Sequence, residues 1–348
     1  MTISVVDLFC GVGGLTHGFL LEKMKVRAGI DIDPACRFPY EQNNSSKFYL
    51  KDVRDLTEKE VSKMFGKSDV KVLAGCAPCQ PFSTYAQRYP RSKDEGSSLA
   101  AFGELVNSVS PDIVTMENVP RIRTRETYLE FLSSLRKLNY YVTEYLPYCP
   151  EYGIPQTRKR LVVFASKYAE ISLIQPTHNQ EEFVTVRQTI GHLVPIKAGE
   201  AQHDDILHCS KNLSRINMRR IKASRPGGTW RDWNQDIVAQ CHKNLARKTY
   251  VSVYGRMEWD KPAPTLTTQF PGFGNGRFGH PEQDRAISLR EGALLQTFPS
   301  SYEFLAAGKH PEFAPLGRLI GNAVPINLSR AIAQSIVRHV EVHHGART

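Results

Sequence analysis

No stretch of this chain stays apolar for the roughly eighteen residues needed to span a bilayer. No charged leader with an apolar core opens it, so neither a membrane partner nor export is expected. The seven cysteines are odd in number and irregularly spaced, which argues against a disulfide framework and predicts a reducing, cytoplasmic setting. Metal-ligand spacing is missing as well. Cys76 and Cys79 form one Cys-x-x-Cys with no second pair and no histidine pair to complete it, and Cys241-His242 stands alone, so no metal site is expected. Acid is in deficit: 35 Asp and Glu against 45 Lys and Arg leave a net charge of +10. That balance favours a polyanionic partner, nucleic acid first, although a merely basic globular protein would show the same number. Internal repeats and long linkers are absent, and 41% hydrophobic with 23% charged residues is an ordinary globular composition, long enough for one large or two modest domains.

What is present begins with an alternation of short apolar runs and glycine-marked turns. Residues 3–9 read as a buried parallel strand, Gly11, Gly13 and Gly14 as a tight turn, and 15–23 as a helix. Together they form the first unit of a doubly wound sheet, in which glycines let a ligand approach the backbone and the helix N-terminus offers free N–H groups. Strand-like runs at 26–30 and 47–50 end at Asp31-Ile32-Asp33 and Asp52-Val53. A carboxylate about 20 residues past the glycines is where a ribose hydroxyl would be held. The turn reads Gly-x-Gly-Gly rather than the Gly-x-Gly-x-x-Gly of the dinucleotide fingerprint, which leaves an adenosine-containing cofactor and disfavours NAD.

A further strand, 70–73, runs into Ala-Gly-Cys-Ala-Pro-Cys-Gln-Pro-Phe-Ser at 74–83. Three chemistries fit such a stretch: a redox pair, half a zinc site, or a cysteine nucleophile. A free thiol has a pKa of about 8.5 and is mostly protonated at neutral pH, so a nucleophilic cysteine needs activation by its surroundings or its substrate. Residues 84–103, with Arg88, Arg91 and Lys93, read as an active-site loop. The strand at 112–116 ends in Glu117-Asn118, and a carboxylate there sits where doubly wound folds place their ligands; capping a helix is its plainer role. Arg121, Arg123 and Arg125 follow, then a helix at 126–138 and strands at 141–147 and 161–165. Arg158 and Arg160 stand two apart at the mouth of the last strand, so they share a face if that segment is extended.

Six blocks in this order carry a resemblance. They are Asp7-Leu8-Phe9-x-Gly11-x-Gly13-Gly14, Pro78-Cys79-Gln80-Pro81-Phe82-Ser83, Glu117-Asn118-Val119, Gln156-x-Arg158-x-Arg160, Arg290-Glu291 with Leu295-Gln296-x-Phe298-Pro299, and Gly321-Asn322-Ala323-Val324-Pro325. With them the chain resembles the cytosine-5 DNA methyltransferases of bacterial restriction–modification systems. The resemblance implies S-adenosylmethionine as cofactor, with Phe9, Gly11 and Leu15 lining its site and Gly13, Val53 and Pro78 beside them. It further implies Asp31 on the ribose, Ile32 on the adenine, Asp52 on the adenine amino group, and Asn322 and Val324 closing the site. Cys79 would be the nucleophile, Glu117 the acid at the cytosine edge, Arg160 the partner of the O2 carbonyl and Arg158 its support. Cys76 is then a packing residue at a strand end, and its loss should be tolerated.

The fold this implies is α/β, a doubly wound, Rossmann-like S-adenosylmethionine-dependent methyltransferase domain plus a smaller, mostly β target-recognition domain. The first would comprise residues 1–172 and 316–348, made discontinuous by a final amphipathic helix at 328–340, and the second 173–315. Residues 211–231 hold seven Lys or Arg and no acid, a candidate recognition region; a solvated basic face would look the same. Gln80, Ser83, Arg88, Arg121, Arg219, Arg220, Arg225 and Arg231 are the expected contacts to duplex DNA. Short strands are expected at 250–254 and 264–268, and Ser288 three residues before Glu291 reads as a capped helix start. A monomer acting beside a cognate restriction endonuclease is the expected setting. Three alternatives stay open: an RNA-methylating member of the family, a catalytically dead DNA-binding scaffold, and a redox protein built on Cys76 and Cys79.

Overall fold

The structure, a computed structural model, describes residues 1–78, 97–243 and 250–344. The chain divides into two compact units. One is Met1–Tyr148, Lys159–Pro176 and Val324–Thr348; the other is Cys149–Arg158 and Thr177–Ala323.

The first unit is built on a seven-stranded sheet. Its strands are β1 (Ile3–Leu8), β2 (Lys25–Asp31), β3 (Lys47–Leu50), β4 (Val70–Gly75), β5 (Ile113–Asn118), β6 (Tyr141–Tyr145) and β7 (Leu161–Ser166), in the order β3-β2-β1-β4-β5-β7-β6. β1, β5 and β7 are buried along their whole length, which is why they read as continuous apolar runs rather than alternating ones. The first five positions in that order are parallel, and β7 runs antiparallel to both β5 and β6. The expectation of a doubly wound sheet therefore holds for the parallel part and is corrected at the far edge. A parallel return needs a crossover helix, and the segment between β6 and β7 holds only the short 3-10 turn Cys149–Tyr152.

Helices α1 (Gly14–Leu21), α2 (Arg37–Asn43), α3 (Glu58–Phe65), α4 (Ser97–Val109) and α5 (Glu126–Lys137) are the connections, and α11 (Ile326–His344) closes the unit. Leu99, Phe102, Leu105 and Val106 recur at helical spacing and are buried in the core with Phe131 and Leu132 of α5, which pulls 97–103 out of the expected loop and into α4. The rest of that expected loop lies outside the described residues. α11 lies against α1, as the amphipathic pattern at 328–340 anticipates, and Arg330 pairs with Glu22 at 2.8 Å. The chain order reverses at β1, whose neighbours are β2 on one side and β4 on the other. The carboxyl ends of β1 and β4 thus form the switch point where this sheet class binds ligands.

The second unit contains helices α6 (Val186–Ile190), α7 (Arg215–Ala223), α8 (Gln240–Lys243), α9 (Leu289–Leu295) and α10 (Phe313–Asn322) among its described residues, with isolated bridges in place of strands. The expected mostly β character is corrected here. Residues 250–254 and 264–268 carry no strand, and the region is joined by single bridges such as Pro226 to Arg256 and Arg256 to Gly279. Two features account for this. Prolines 262, 264 and 271 cannot donate to a ladder, and the buried Arg256 guanidinium, rather than a strand pairing, ties this region to the carbonyls of Ile221 and Ser224 at the end of α7 and of His280 and Gln283. Ser288 caps α9 in a reciprocal capping box with Glu291, as its spacing predicts.

Candidate active site

The turn after β1 carries the first group of expected residues. Phe9, Gly11 and Gly13 all have positive φ (57°, 53° and 88°), and Gly13 caps α1. A Cβ placed on Gly11 would meet nothing within 4 Å among the described residues, whereas one on Gly14 would strike the Val324 carbonyl oxygen at 2.4 Å. Val324 is therefore locked against the start of α1, and Leu15 is buried beneath the turn. Asp31, at the end of β2, ties the turn down: its Oδ2 accepts the Gly11 N–H at 2.9 Å and its Oδ1 the Asp33 N–H at 2.9 Å. Burial raises the Asp31 carboxyl above its ordinary range, against the lowering effect of those two backbone donors.

Beside Asp31, the Ile32 side chain is 65% exposed, an apolar surface open at a strand end. Asp52 follows β3 and is held by Arg54, whose Nε and Nη2 lie 3.0 and 2.6 Å from Oδ2. Those hydrogen bonds hold its carboxyl below the usual range. Val53 is buried next to it and Pro78 is exposed. An open glycine turn, an exposed apolar side chain and carboxylates at two successive strand ends suit a nucleoside-bearing group. Asn322 ends α10 in the second unit and is exposed.

The second group lies at the ends of β4, β5 and β7. Parallel pairing sets Gly75 of β4 opposite Met116 of β5, so the next residues, Cys76 and Glu117, emerge side by side. Glu117 is 3% exposed, and its Oε2 accepts the Cys76 thiol at 2.9 Å. Arg160, just before β7, brings its Nε to 2.9 Å from Oε1 as an ion pair, but Oε1 accepts no hydrogen bond among the described residues. Burial first, then the Glu117 charge, push the Cys76 thiol well above its usual range, so it stays an S–H donor. Cys76 is thus more than a packing residue, a role the sequence hides because strand neighbours are not visible in it. Asn118 turns inward and donates to the Ala77 carbonyl at 3.0 Å, holding the segment that leads to Cys79. Cys79, Gln80, Ser83 and Arg88 lie outside the described residues.

Arg158 is buried in the second unit and makes its contacts there. Its Nη1 lies 3.4 to 3.5 Å from the carbonyls of Leu266 and Gly321 and the side-chain oxygens of Gln156 and Gln296. Three of the blocks that carry the resemblance therefore meet around one guanidinium. The expectation that Arg158 and Arg160 act as a pair receives no support from these contacts: Arg160 is engaged by Glu117, and Arg158 cross-links loops of its own unit.

Of the arginines expected at DNA, Arg121 is exposed in the 3-10 turn after β5. Arg219 is paired with Asp236 and Arg225 with Asp232. Arg220 is a structural residue: it donates to the Ile237 carbonyl at 2.8 Å and lies over the rings of Trp233 and Tyr254. Arg231 lies over Trp230, exposed. Among the described residues no group of three or more His, Cys, Asp or Glu is placed to hold a metal ion, and no helix is long and apolar enough to cross a membrane.

A family model described as C-5 cytosine-specific DNA methylase matches residues 3–338. The Type II methylase M.HgiDII of Herpetosiphon aurantiacus is 50% identical over 99% of this chain and 98% of its own length. The Type II methyltransferase M1.BsuMI of Bacillus subtilis (strain 168) is 31% identical over 95% of this chain and 80% of its own. Among solved structures, a prophage-encoded E. coli protein assigned as a DNA modification methyltransferase superposes with a TM-score of 0.72 at 21% identity, covering 97% of this chain and 99% of that one. Spodoptera frugiperda DNMT2 gives 0.67 at 16% identity, over 97% and 100%. At those identities the structural likeness shows the fold alone.

Proposed function

Because this chain belongs to the C-5 cytosine-specific DNA methylase family, we propose that it methylates C5 of a cytosine flipped out of duplex DNA, with S-adenosylmethionine as donor. The setting we propose is a Type II restriction–modification system, in which the methyl mark protects host DNA from a cognate endonuclease. The observation that carries the reading is the Glu117 carboxyl: buried at the carboxyl end of a central strand, flanked by Arg160, with one oxygen that accepts no hydrogen bond among the described residues. A buried acceptor of that kind calls for a polar partner, and the edge of a cytosine ring offers one.

S-adenosylmethionine supplies an electrophilic sulfonium methyl when bound. The residues that would hold it are those of the open turn: Asp31 at the ribose, Ile32 against the adenine, and Asp52 at the adenine amino group, with Arg54 orienting the Asp52 carboxylate. Val324 would close that site.

Cytosine C5 is a weak nucleophile, and addition of the Cys79 thiolate at C6 makes it enamine-like, splitting one difficult step into easier ones. Glu117 protonates N3 as the S–C6 bond forms, and Arg160 holds both Glu117 and the O2 carbonyl. Once the methyl is on C5, loss of the C5 proton drives elimination of Cys79 and restores the ring. Attack at C6 requires access to the face of the ring, so the base must leave the stack.

The test is incubation of the purified protein with methyl-labelled cofactor and either duplex DNA or tRNA. Label in 5-methylcytosine of DNA is expected, and label in tRNA alone would overturn the reading. Cys79→Ser should bind S-adenosylhomocysteine and DNA while losing transfer. Glu117→Gln should slow single-turnover methylation by about 100-fold or more, and a rate within about twofold of wild type would remove Glu117 from the mechanism.

A further inference from the structure

We propose that Cys76 is a positioning residue for the reaction: its thiol anchors one oxygen of Glu117 so that the other faces the substrate base. The inference rests on the reading of Glu117 as the acid that protonates cytosine N3. Three observations carry it. Parallel pairing of β4 and β5 delivers Cys76 and Glu117 to the same level of the sheet. The thiol donates to Oε2 at 2.9 Å, a close approach for sulfur. Arg160 faces the other oxygen, which accepts no hydrogen bond among the described residues. The carboxylate is thereby held from both sides.

A thiol suits this post. A second ammonium or guanidinium beside Glu117 would stabilise the carboxylate and hold back the proton it must deliver, and a carbonyl or carboxylate could not donate. A hydroxyl donates more strongly than S–H and would also favour the charged form. The weak neutral donor fixes the rotamer with the least effect on proton release. Cys76 itself stays protonated, so it does not compete with Cys79 as nucleophile.

The experiment is single-turnover methylation of duplex DNA against pH, with wild type, Cys76→Ala, Cys76→Ser, Glu117→Gln and the double variant Cys76→Ala/Glu117→Gln. Melting temperature and S-adenosylhomocysteine binding confirm the fold of each. An acid that must carry its proton gives a limb on which the rate falls as pH rises, opposite in sense to the limb from thiolate formation at Cys79. Cys76→Ala should lower the plateau by about tenfold and move the falling limb to higher pH, because the carboxylate has lost a donor. Cys76→Ser, close in size and the better test if the alanine variant does not fold, should keep most of the rate and move the same limb to lower pH. In the Glu117→Gln background, Cys76→Ala should cost nothing further, the mark of a residue that acts through Glu117.

An alanine variant within about twofold of wild type with both limbs unmoved, alongside a crippled Glu117→Gln, would overturn the inference and leave the proposed function standing. Losses that simply add in the double variant would overturn it too. A fully active Glu117→Gln would instead overturn the acid reading, and this inference with it.

Discussion

Asp7 shows how much a single buried group can govern. It is fully buried in β1, its Oδ2 accepts the Thr16 hydroxyl at 2.6 Å, and its Oδ1 has no hydrogen-bond partner among the described residues. Burial pushes its carboxyl from 3.8 up to about 7, with the Asp31 charge adding to the rise. The sign of the consequence follows from linkage. The folded state holds the proton that the unfolded chain has already released, so stability is full below about pH 4 and falls as pH rises through about 7. At about 1.4 kcal/mol per unit that is roughly 4 kcal/mol. Asp7→Asn cannot titrate, so its stability relative to wild type, from chemical denaturation, should climb between about pH 4 and 7 and level off above. A difference independent of pH would refute the assignment.

Arg285 and Glu291 make a second case at this scale. Both are buried, joined by two bonds of 2.7 Å. Burial pushes Glu291 up, but Arg285 and then His280 outweigh it and hold the carboxyl below its usual range. Arg285→Met should cost about 3–5 kcal/mol by stranding Glu291, and adding Glu291→Met should recover much of it. The glutamate was legible in the sequence as half of a capping box with Ser288; its arginine, six residues earlier, was not. Nothing in a local pattern says which arginine turns inward.

Among the elements, the pair α1 and α11 is the most constrained. A Cβ on Gly18 would lie 2.3 Å from the Ser329 Cβ and 2.8 Å from the Arg330 backbone nitrogen. Gly18→Ala would gain about 1 kcal/mol of helix propensity and lose more to overpacking. We expect a net loss of about 1–3 kcal/mol in urea unfolding; a more stable variant would show that the helices can separate. Strands β1 to β7 and helices α1, α5, α9 and α11 were readable because apolar runs, helical periodicity and a capping box are local signals. Helix α4 was not, because its charged and small-residue approach disguised the buried stripe of Leu99, Phe102 and Val106. The irregular region around Arg256 failed for another reason: short β-like runs need a partner strand, and here isolated bridges and the buried Arg256 side chain join the segments instead.

For the whole molecule, the excess of ten positive charges sets the expected behaviour toward DNA. Each phosphate contact releases counterions, so with roughly six contacts the affinity should fall about 10³-fold between about 50 and 200 mM salt. Fluorescence anisotropy on a duplex measures this, and a flat salt profile would contradict the electrostatic footprint. Arg219 and Arg225 are already neutralised by Asp236 and Asp232. Their removal should therefore change the salt slope less than removal of Arg231, which leans on an aromatic face instead.

The sequence by itself determined the family, the glycine turn and the strand-end acids at 31, 52 and 117, because those signals are local in the chain and ordered along it. Only the tertiary structure decided which side chains share a hydrogen bond. The fold placed Cys76 beside Glu117 across 41 residues and Val324 against Gly14. It also left Arg158 and Arg160, two residues apart, with different partners. Pairing across a sheet is settled by burial and register summed over whole strands, and no short motif contains that sum.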